Sequence, residues 1–478
     1  MSDSSLRHGC VTRDSSWSTR LRPSRRNAST LLLIATLFGA TMGEIAVQPL
    51  SLSAAETLPV PAASTAPPPR GSLVIIGGAA RHDNEAIWSE VLRLAGGQGG
   101  RIAVFPCASS YPLKNGQRAV KLLKSHGADA FLVPVALSGI DGVNCAEAVR
   151  DPAIIEQVRG ASGVYFIGGS QSRICEALVD KEGRNSPLLD AVWDVYRRGG
   201  VVAGTSAGAA IMSRVMFRDP GLILNNMLQG VKMGKEVDHG LGFLDSNWFV
   251  DQHCLVRGRF ARALVAMRDQ HVRYGLGIDE DTAIVVEADE RARVIGNRGA
   301  VVLDLSQADS DEQVRKFNLR NARLTYLNHG DAIHLRTLQV TPNPAKQADR
   351  KIDPTAPDFR PTGGRRLFYM DVLANTTLVD VMTRVIEHRD GQAIGLAFDG
   401  AAAAEGDTPG FEFRFYRAAD SFGWETDAHG TTDCTIQNIH LDVRPITVQG
   451  PLYSAASSAD ESPRDLPPRV VAGGASNQ

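Results

Sequence analysis

Val201-Val-Ala-Gly-Thr-Ser-Ala-Gly-Ala-Ala210 is the stretch that decides the fold. An apolar, strand-like run enters Gly-x-Ser-x-Gly and leaves directly into a helix-forming run. That is the layout of a nucleophile elbow, a sharp strand-to-helix turn that lifts the hydroxyl of Ser206 out of a sheet. Gly204 and Gly208 leave such a turn free of bulky Cβ groups. A serine hydroxyl is a weak nucleophile by itself, so the elbow calls for a nearby base and an oxyanion site. The competing reading is a Gly/Ala-rich strand–helix junction with an incidental serine.

Working outward, four more apolar runs resemble the strand at Val201. They are Ser72-Leu-Val-Ile-Ile-Gly-Gly, Arg101-Ile-Ala-Val-Phe-Pro, Ala130-Phe-Leu-Val-Pro-Val and Gly163-Val-Tyr-Phe-Ile-Gly-Gly. Helical patterns lie between them, as at 119–126 and 187–198. Near-continuous apolar strands alternating with helices predict an α/β fold whose parallel sheet is covered on both faces. Sites in such folds form beyond the carboxyl ends of the strands. Gly168-Gly-Ser-Gln171 and the Ser206 elbow both lie at such ends, so two motifs converge on one rim.

Farther along come Trp248-Phe-Val-Asp-Gln-His, a helical pattern over 259–270, and strands near 275–286, 292–296 and 301–305 that read as antiparallel. These bound a core domain over 71–340. Residues 341–366 are rich in Pro, Asp, Lys and Arg and read as a linker or exposed loop. Apolar patterning resumes over 367–453 as an α+β extension, with a helix at 377–387. The polar tail 454–478 reads as disordered.

With 478 residues the chain has material for a large core, and its formal net charge of −2 gives no global case for nucleic acid or an anionic membrane. Arg20, Arg22, Arg25 and Arg26 precede an apolar run at 31–40 that is too short to span a bilayer. With the small residues Ser53-Ala54-Ala55, this predicts an export signal over 1–55, cleaved before Glu56, and a secreted or periplasmic protein. Arg25-Arg26 also permits a twin-arginine route. The alternative is a disordered N-terminus with a short anchor. Residues 56–70 form an Ala/Pro-rich linker. Of six cysteines, none has Cys-x-x-Cys spacing, so neither a metal site nor a disulfide framework is expected.

His253 is the best base for Ser206, because it closes a strand-like run and sits in polar surroundings. His239 and His271 are its rivals. Cys254 faces away from His253 if both continue the strand, and reads as a buried structural cysteine. The amide of Ala207 is the natural first oxyanion donor, and Gly169 offers a second. Arg257, Arg259 and Arg262 form a surface suited to carboxylates, or else a solvated basic face. Asp279-Glu280-Asp281 binds a cationic group or orients arginines.

These pieces, taken in order, resemble the cyanophycinases, serine peptidases related to peptidase E. The matching residues are Ile76-Gly-Gly-Ala, Gly168-Gly-Ser-Gln171, Gly204-Thr-Ser-Ala-Gly-Ala-Ala-Ile-Met, Gly240-Leu-Gly, Asp251-Gln-His with its three arginines, and Gly277-Ile-Asp-Glu-Asp-Thr-Ala. Leu373-Ala-Asn-Thr-Thr-Leu-Val-Asp and Pro451-Leu-Tyr are similar to the longer, exported branch. The resemblance implies a three-layer, class I glutamine-amidotransferase-like (flavodoxin-like) α/β core with the C-terminal α+β extension, often a homodimer. It implies no metal or other cofactor. The implied substrate is cyanophycin, a polyaspartate carrying arginine on each side-chain carboxyl, and the products are β-aspartyl-arginine dipeptides. No nucleic acid is implied as partner, and no membrane for the mature form.

By the same resemblance Ser206 is the nucleophile and His253 the base. Gln171, Asp251, Gln252, Arg257, Arg259 and Arg262 line the substrate groove. The family's acidic residue lies in a Gly/Ser-rich loop after the nucleophile helix. Here that region departs from the pattern, and Glu236 is the choice for orienting His253, with Asp219 and Asp238 behind it. A hydrolase of short aspartyl peptides, a non-catalytic polymer-binding relative and an esterase are the other classes the chain permits; the arginine-rich rim is the wrong surface for the esterase.

Overall fold

The computed structural model describes residues 71–428 and 432–453. The expected export signal, the linker 56–70 and the tail 454–478 lie outside the described residues.

Five parallel strands form one half of the first sheet: β1 (Ser72–Ile76), β2 (Arg101–Phe105), β3 (Asp129–Leu132), β4 (Gly163–Phe166) and β5 (Val201–Thr205). They stand in the order β1-β5-β4-β2-β3, with Ile76 level with Thr205 and Phe166 level with Gly204. Consecutive residues of β1, β2, β4 and β5 are buried, although they point to opposite faces, so both faces are covered. The covering helices carry their own local signals. In the helix Pro187–Arg197, Ser186 Oγ accepts from the Leu189 amide at 3.2 Å and Pro187 needs no donor at the first turn. Its buried Leu188, Leu189, Val192 and Val195 recur at helical spacing.

A hairpin, β6 (Val215–Phe217) with β7 (Val237–His239), follows the elbow helix. Beyond it the chain alternates between two sheets. β8 (Trp248–Gln252) and β9 (Tyr274–Ile278) pair in parallel in the second sheet. β10 (Thr282–Val286) crosses to the first and runs antiparallel to β1. β11 (Arg291–Gly296) pairs with β10, while β12 (Gly299–Asp304) and β13 (Leu319–Asn328) return to the second sheet. β14 (Ala332–His334) and β15 (Val340–Thr341) complete the first, which is therefore a mixed nine-stranded sheet rather than a wholly parallel one. The expectation that 275–286 and its neighbours are antiparallel holds: β10 is antiparallel to β1 and β11, and β9 is antiparallel to β12, while its other edge pairs in parallel with β8.

β16 (Arg350–Ile352), β17 (Leu367–Tyr369), β18 (Gln392–Phe398), β19 (Thr408–Thr426) and β20 (Asp433–Val448) build the rest of the second sheet. It runs β17-β18-β19-β20-β13-β12-β9-β8, with β16 on β19. The stretch 367–453 is thus joined to the preceding part edge to edge, through β20 on β13, rather than appended to it. Phe411, Phe413 and Phe415 alternate along β19 and pack under Phe260 and Phe317.

Residues 341–366, expected as a linker, carry the helix Pro344–Asp349 and β16. Within them Lys346 is fully buried. Its ammonium donates to Asp331 at 2.8 and 2.9 Å, to Thr435 at 2.9 Å, and to Asn328. A charged, Pro-rich composition reads as solvated, but this lysine has a buried carboxylate waiting for it, and the pair ties β13, β20 and the short helix together. Among the described residues no helix is long and apolar enough to cross a membrane.

Candidate active site

Ser206 is the first residue beyond β5 and has φ 53° and ψ −109°, a conformation that non-glycine residues hold only when their surroundings enforce it. Its amide donates to the carbonyl of Ile76 at 2.9 Å, and its own carbonyl accepts from Ala209 and Ala210, starting the helix Ala207–Ala210. The turn pins the hydroxyl above the carboxyl edge of the parallel strands.

His253 is the first residue beyond β8. Its amide donates to Gly77 at 2.9 Å, so the end of a second-sheet strand is tied to the end of a first-sheet strand. Its Nε2 stands 2.9 Å from Ser206 Oγ, and its Nδ1 stands 2.7 Å from Glu280 Oε1. A carboxylate at Nδ1 accepts a hydrogen bond from the ring and so holds its proton on Nδ1, which leaves Nε2 free to accept from the serine. Ala79, His253 and Asp281 share with Ser206 a positive φ. Four strained backbones thus meet around one pair of side chains, as at sites where geometry is enforced. Gly78, at φ 119°, lies under the imidazole. A Cβ there would come within 2.3 Å of His253 Cε1, so the ring occupies the space a side chain would fill.

The carboxylate that meets His253 is therefore Glu280, not Glu236. Glu236 accepts from the Lys232 amide at 3.0 Å and pairs with Lys235 at 2.7 Å, on the hairpin of β6 and β7. Asp238 is taken by Arg218 at 2.8 Å, and Asp219 is exposed on the same hairpin. The triplet after β9 divides its labour. Asp279 is buried and accepts from the Val256 amide at 2.9 Å, holding the loop after His253. Glu280 meets His253. Asp281 accepts from the Arg81 amide, Asn84 and Asn297 at 2.7–2.8 Å.

The electrostatics suit a base. Burial lowers the basicity of His253 below the usual 6.5; the bond to Glu280 raises it, and Arg257 and Arg259 lower it again, with a net downward shift. The imidazole is then neutral at neutral pH. Burial pushes Glu280 upward, but its hydrogen bonds from His253 and Arg257 outweigh that and hold it below the ordinary carboxylate range.

The remaining expected residues separate into two groups. The amides of Ala207 and Gly169 have no acceptor among the described residues, and a Cβ on the neighbouring Gly168 would lie 3.2 Å from Ser206 Cβ. Both amides are free to donate, and Ala207 directly follows Ser206. Arg257 is half exposed and reaches Glu280 at 3.3 Å. Arg259 donates to the carbonyl and the side chain of Gln252 at 2.8 and 2.7 Å. Burial, with the charge of Arg262 behind it, pushes Arg259 down to about 10. A guanidinium so placed is stabilised by any carboxylate brought to it.

Asp251, Gln171 and Arg262 do not line a groove. Arg262 is 4 % exposed and grips Asp251, 2 % exposed, with two bonds of 2.6 and 2.7 Å, and its guanidinium lies 4.3 Å over the ring of Phe217. Gln171 is buried and donates to the Phe217 carbonyl at 2.6 Å. Gln252 is buried as well. These residues shape the floor under the arginines. Arg262→Ala should accordingly cost about 3–5 kcal/mol of stability by leaving Asp251 buried and unpaired. Urea unfolding measures this, and an unchanged midpoint would contradict it.

Cys254 is fully buried against Gly277, and burial pushes its thiol well above the usual range, so it offers no thiolate. Among the described residues no cluster of His, Cys, Asp or Glu is built to hold a metal. The loop after His253 is braced by the C-terminal part of the chain. The Thr376 amide donates to the Leu255 carbonyl at 3.2 Å, and a Cβ on Gly258, at φ 58°, would lie 2.1 Å from the Leu373 carbonyl.

Residues 73–295 match the model of peptidase family S51. The chain is 33 % identical over 287 residues to a cyanophycinase of Geminocystis herdmanii, covering 56 % of this chain and 96 % of that one. The chain belongs to peptidase family S51. It is a serine peptidase with an α/β fold. It is also 30 % identical over 280 residues to a cyanophycinase of Synechococcus elongatus, covering 57 % of this chain and 81 % of that one. A solved peptidase from an acI-B1 Actinobacterium is similar to it at 19 % identity and a TM-score of 0.41, over 56 % of this chain and 97 % of the other.

Proposed function

We propose that this S51 peptidase is an exported enzyme that hydrolyses cyanophycin to β-aspartyl-arginine through an acyl-enzyme on Ser206. The observation that carries this reading is the unbroken run of hydrogen bonds from Ser206 Oγ through His253 to Glu280 beside the paired arginines Arg257 and Arg259. Ser206 gives its proton to His253 Nε2 as Oγ attacks the carbonyl between two aspartates. The oxyanion that forms accepts hydrogen bonds from the amides of Ala207 and Gly169. The imidazolium, steadied by Glu280, returns the proton to the leaving amine, and the C–N bond breaks. Water, deprotonated by the same imidazole, then cleaves the ester. The isopeptide bond to each arginine is untouched, which leaves β-aspartyl-arginine units. Each unit bears a free carboxylate, which suits Arg257 and Arg259.

Three features support the export: the basic N-terminal stretch, the short apolar run at 31–40, and the small residues before Glu56. The test is to incubate the chain from Glu56 onward with purified cyanophycin and to read the soluble products by mass spectrometry. Release of β-aspartyl-arginine is expected. Cleavage of aspartyl dipeptides with no attack on the polymer would replace this reading by that of a short-peptide hydrolase.

The pH dependence follows from His253. The base works only when neutral, and its pKa lies below the usual 6.5. Activity should therefore persist into mildly acidic solution and fall as pH drops through that lowered value. A kcat/KM profile with its acid limb centred below 6.5 is expected; a limb above 6.5 would contradict the burial argument.

A further inference from the structure

Three clefts follow one another across the rim. The first, about 270 Å³, touches Gly168 and Thr205 beside the nucleophile and is walled by Trp88 and Tyr165. The second, about 620 Å³, meets the first at Ala79 and contains Glu280, Asp281 and Arg298. The third, about 390 Å³, shares Asn297 and Arg298 with the second and leads away from the serine. Its walls are Tyr326 of β13, Ile352 of β16, Val379 and Glu387 of the helix Thr377–Glu387, and Glu425 of β19. All of these lie beyond residue 295, where the match to the family ends.

The chemistry of this third cleft is specific. Tyr326, Ile352 and Val379 give an apolar lining fitted to a methylene stem. At the rim, Glu387 and Glu425 hold between them the guanidinium of the chain's own Arg350, which is half exposed. The site thus already displays a guanidinium seated between two carboxylates, at a surface where solvent weakens the internal pair. Arg298 at the entrance pairs with Asp279 at 3.4 Å and presents a half-exposed guanidinium that a carboxylate can approach. A single arm of the polymer carries a guanidinium, an aliphatic stem and a carboxylate. Those are the three groups the cleft answers.

We propose that the cleft between β13, β19 and the helix Thr377–Glu387 is a remote subsite that binds an aspartyl-arginine unit of the polymer several residues from the cleaved bond. The inference rests on the cyanophycin reading. Continuity with the catalytic rim through Asn297 and Arg298 makes a longer chain able to occupy both at once. Binding at a second point raises the effective concentration of the polymer at Ser206 without changing the chemistry there. The C-terminal part of the chain then has two tasks: it braces the loop after His253, and it extends the groove.

The test compares the polymer with a synthetic dimer of β-aspartyl-arginine too short to reach the cleft. Thr383, half-buried on the helix, lines the cleft. Thr383→Trp fills it, and Thr383→Arg places a repelling cation in it. Both variants should raise KM for the polymer about tenfold, leave kcat in place, and turn over the dimer like the wild type. In a Ser206→Ala background each should weaken retention on insoluble polymer by a similar factor. Unchanged polymer kinetics in both variants would overturn the subsite. Equal losses on polymer and dimer would also overturn it, since the helix would then only support the catalytic loop. A wild type inactive on polymer and dimer alike would overturn the cyanophycin reading itself.

Discussion

Ser206→Ala is expected to abolish hydrolysis of the polymer, with a loss of about 10⁴-fold or more in kcat, while the unfolding midpoint and polymer binding stay close to those of the parent. The argument is local. Ser206 carries its strained backbone through main-chain bonds, its amide to Ile76 and its carbonyl to Ala209 and Ala210, and none of these involves the hydroxyl. Alanine keeps the Cβ and all three bonds. What disappears is the oxygen 2.9 Å from His253 Nε2, and no other side chain can replace it. Cys254 is the nearest alternative nucleophile by sequence, but it is buried on the opposite side of the chain, against Gly277, with a thiol that does not ionise in the working range. Arg257 and Arg259, to which the substrate carboxylate is assigned in the proposed reading, are unaltered. Steady-state assays on cyanophycin, with co-sedimentation on insoluble polymer, separate the two effects. Retention of full activity in Ser206→Ala would remove the serine from the mechanism.

What could be read directly from the residues was the part of the fold that depends on local pattern. The five buried runs announced the parallel strands, and Gly-x-Ser-x-Gly announced the elbow, because each is encoded within a few residues. His253 was legible for a similar reason: a polar group closing an apolar run lands on a rim. Glu280 was not legible. It follows β9, and whether its carboxylate meets His253 depends on β9 lying parallel to β8, with Gln252 level with Ile278. Paired antiparallel to β8, β9 would deliver its end to the opposite edge.

The same limit hid the role of 367–453. The pairing of β20 with β13 joins residues more than a hundred positions apart, and no short pattern announces it. The family resemblance placed Asp251 and Arg262 in the groove beside His253. Each instead neutralises the other below the surface. Gly78 stood in the recognised Ile76-Gly-Gly-Ala without a stated task, and only the imidazole lying over it supplies one.

Glu280→Gln is expected to lower kcat by about 10³–10⁴-fold, whereas Glu236→Gln leaves it within about twofold. Glutamine keeps the size of Glu280 and still reaches Nδ1, so the loop and the imidazole stay in place. It removes the negative charge that steadies the imidazolium formed when Ser206 gives up its proton. It also allows the amide to donate to Nδ1, which puts the ring's proton on Nε2, facing the serine, where it blocks proton acceptance. The carboxylate of Glu280 is held below its ordinary range by His253 and Arg257, so it stays ionised throughout the pH interval in which His253 is neutral. Its loss therefore scales activity down across the profile and, because Glu280 raises the basicity of His253, also moves the acid limb to lower pH. Glu236 has its own partners in Lys232 and Lys235 on the hairpin of β6 and β7, so its neutralisation removes only a surface contact. Parallel kinetics of the two variants on the polymer, with urea unfolding to verify that both are folded, decide between the carboxylates. A full loss in Glu236→Gln beside an active Glu280→Gln would reverse the assignment and require the hairpin to swing onto His253 when substrate binds.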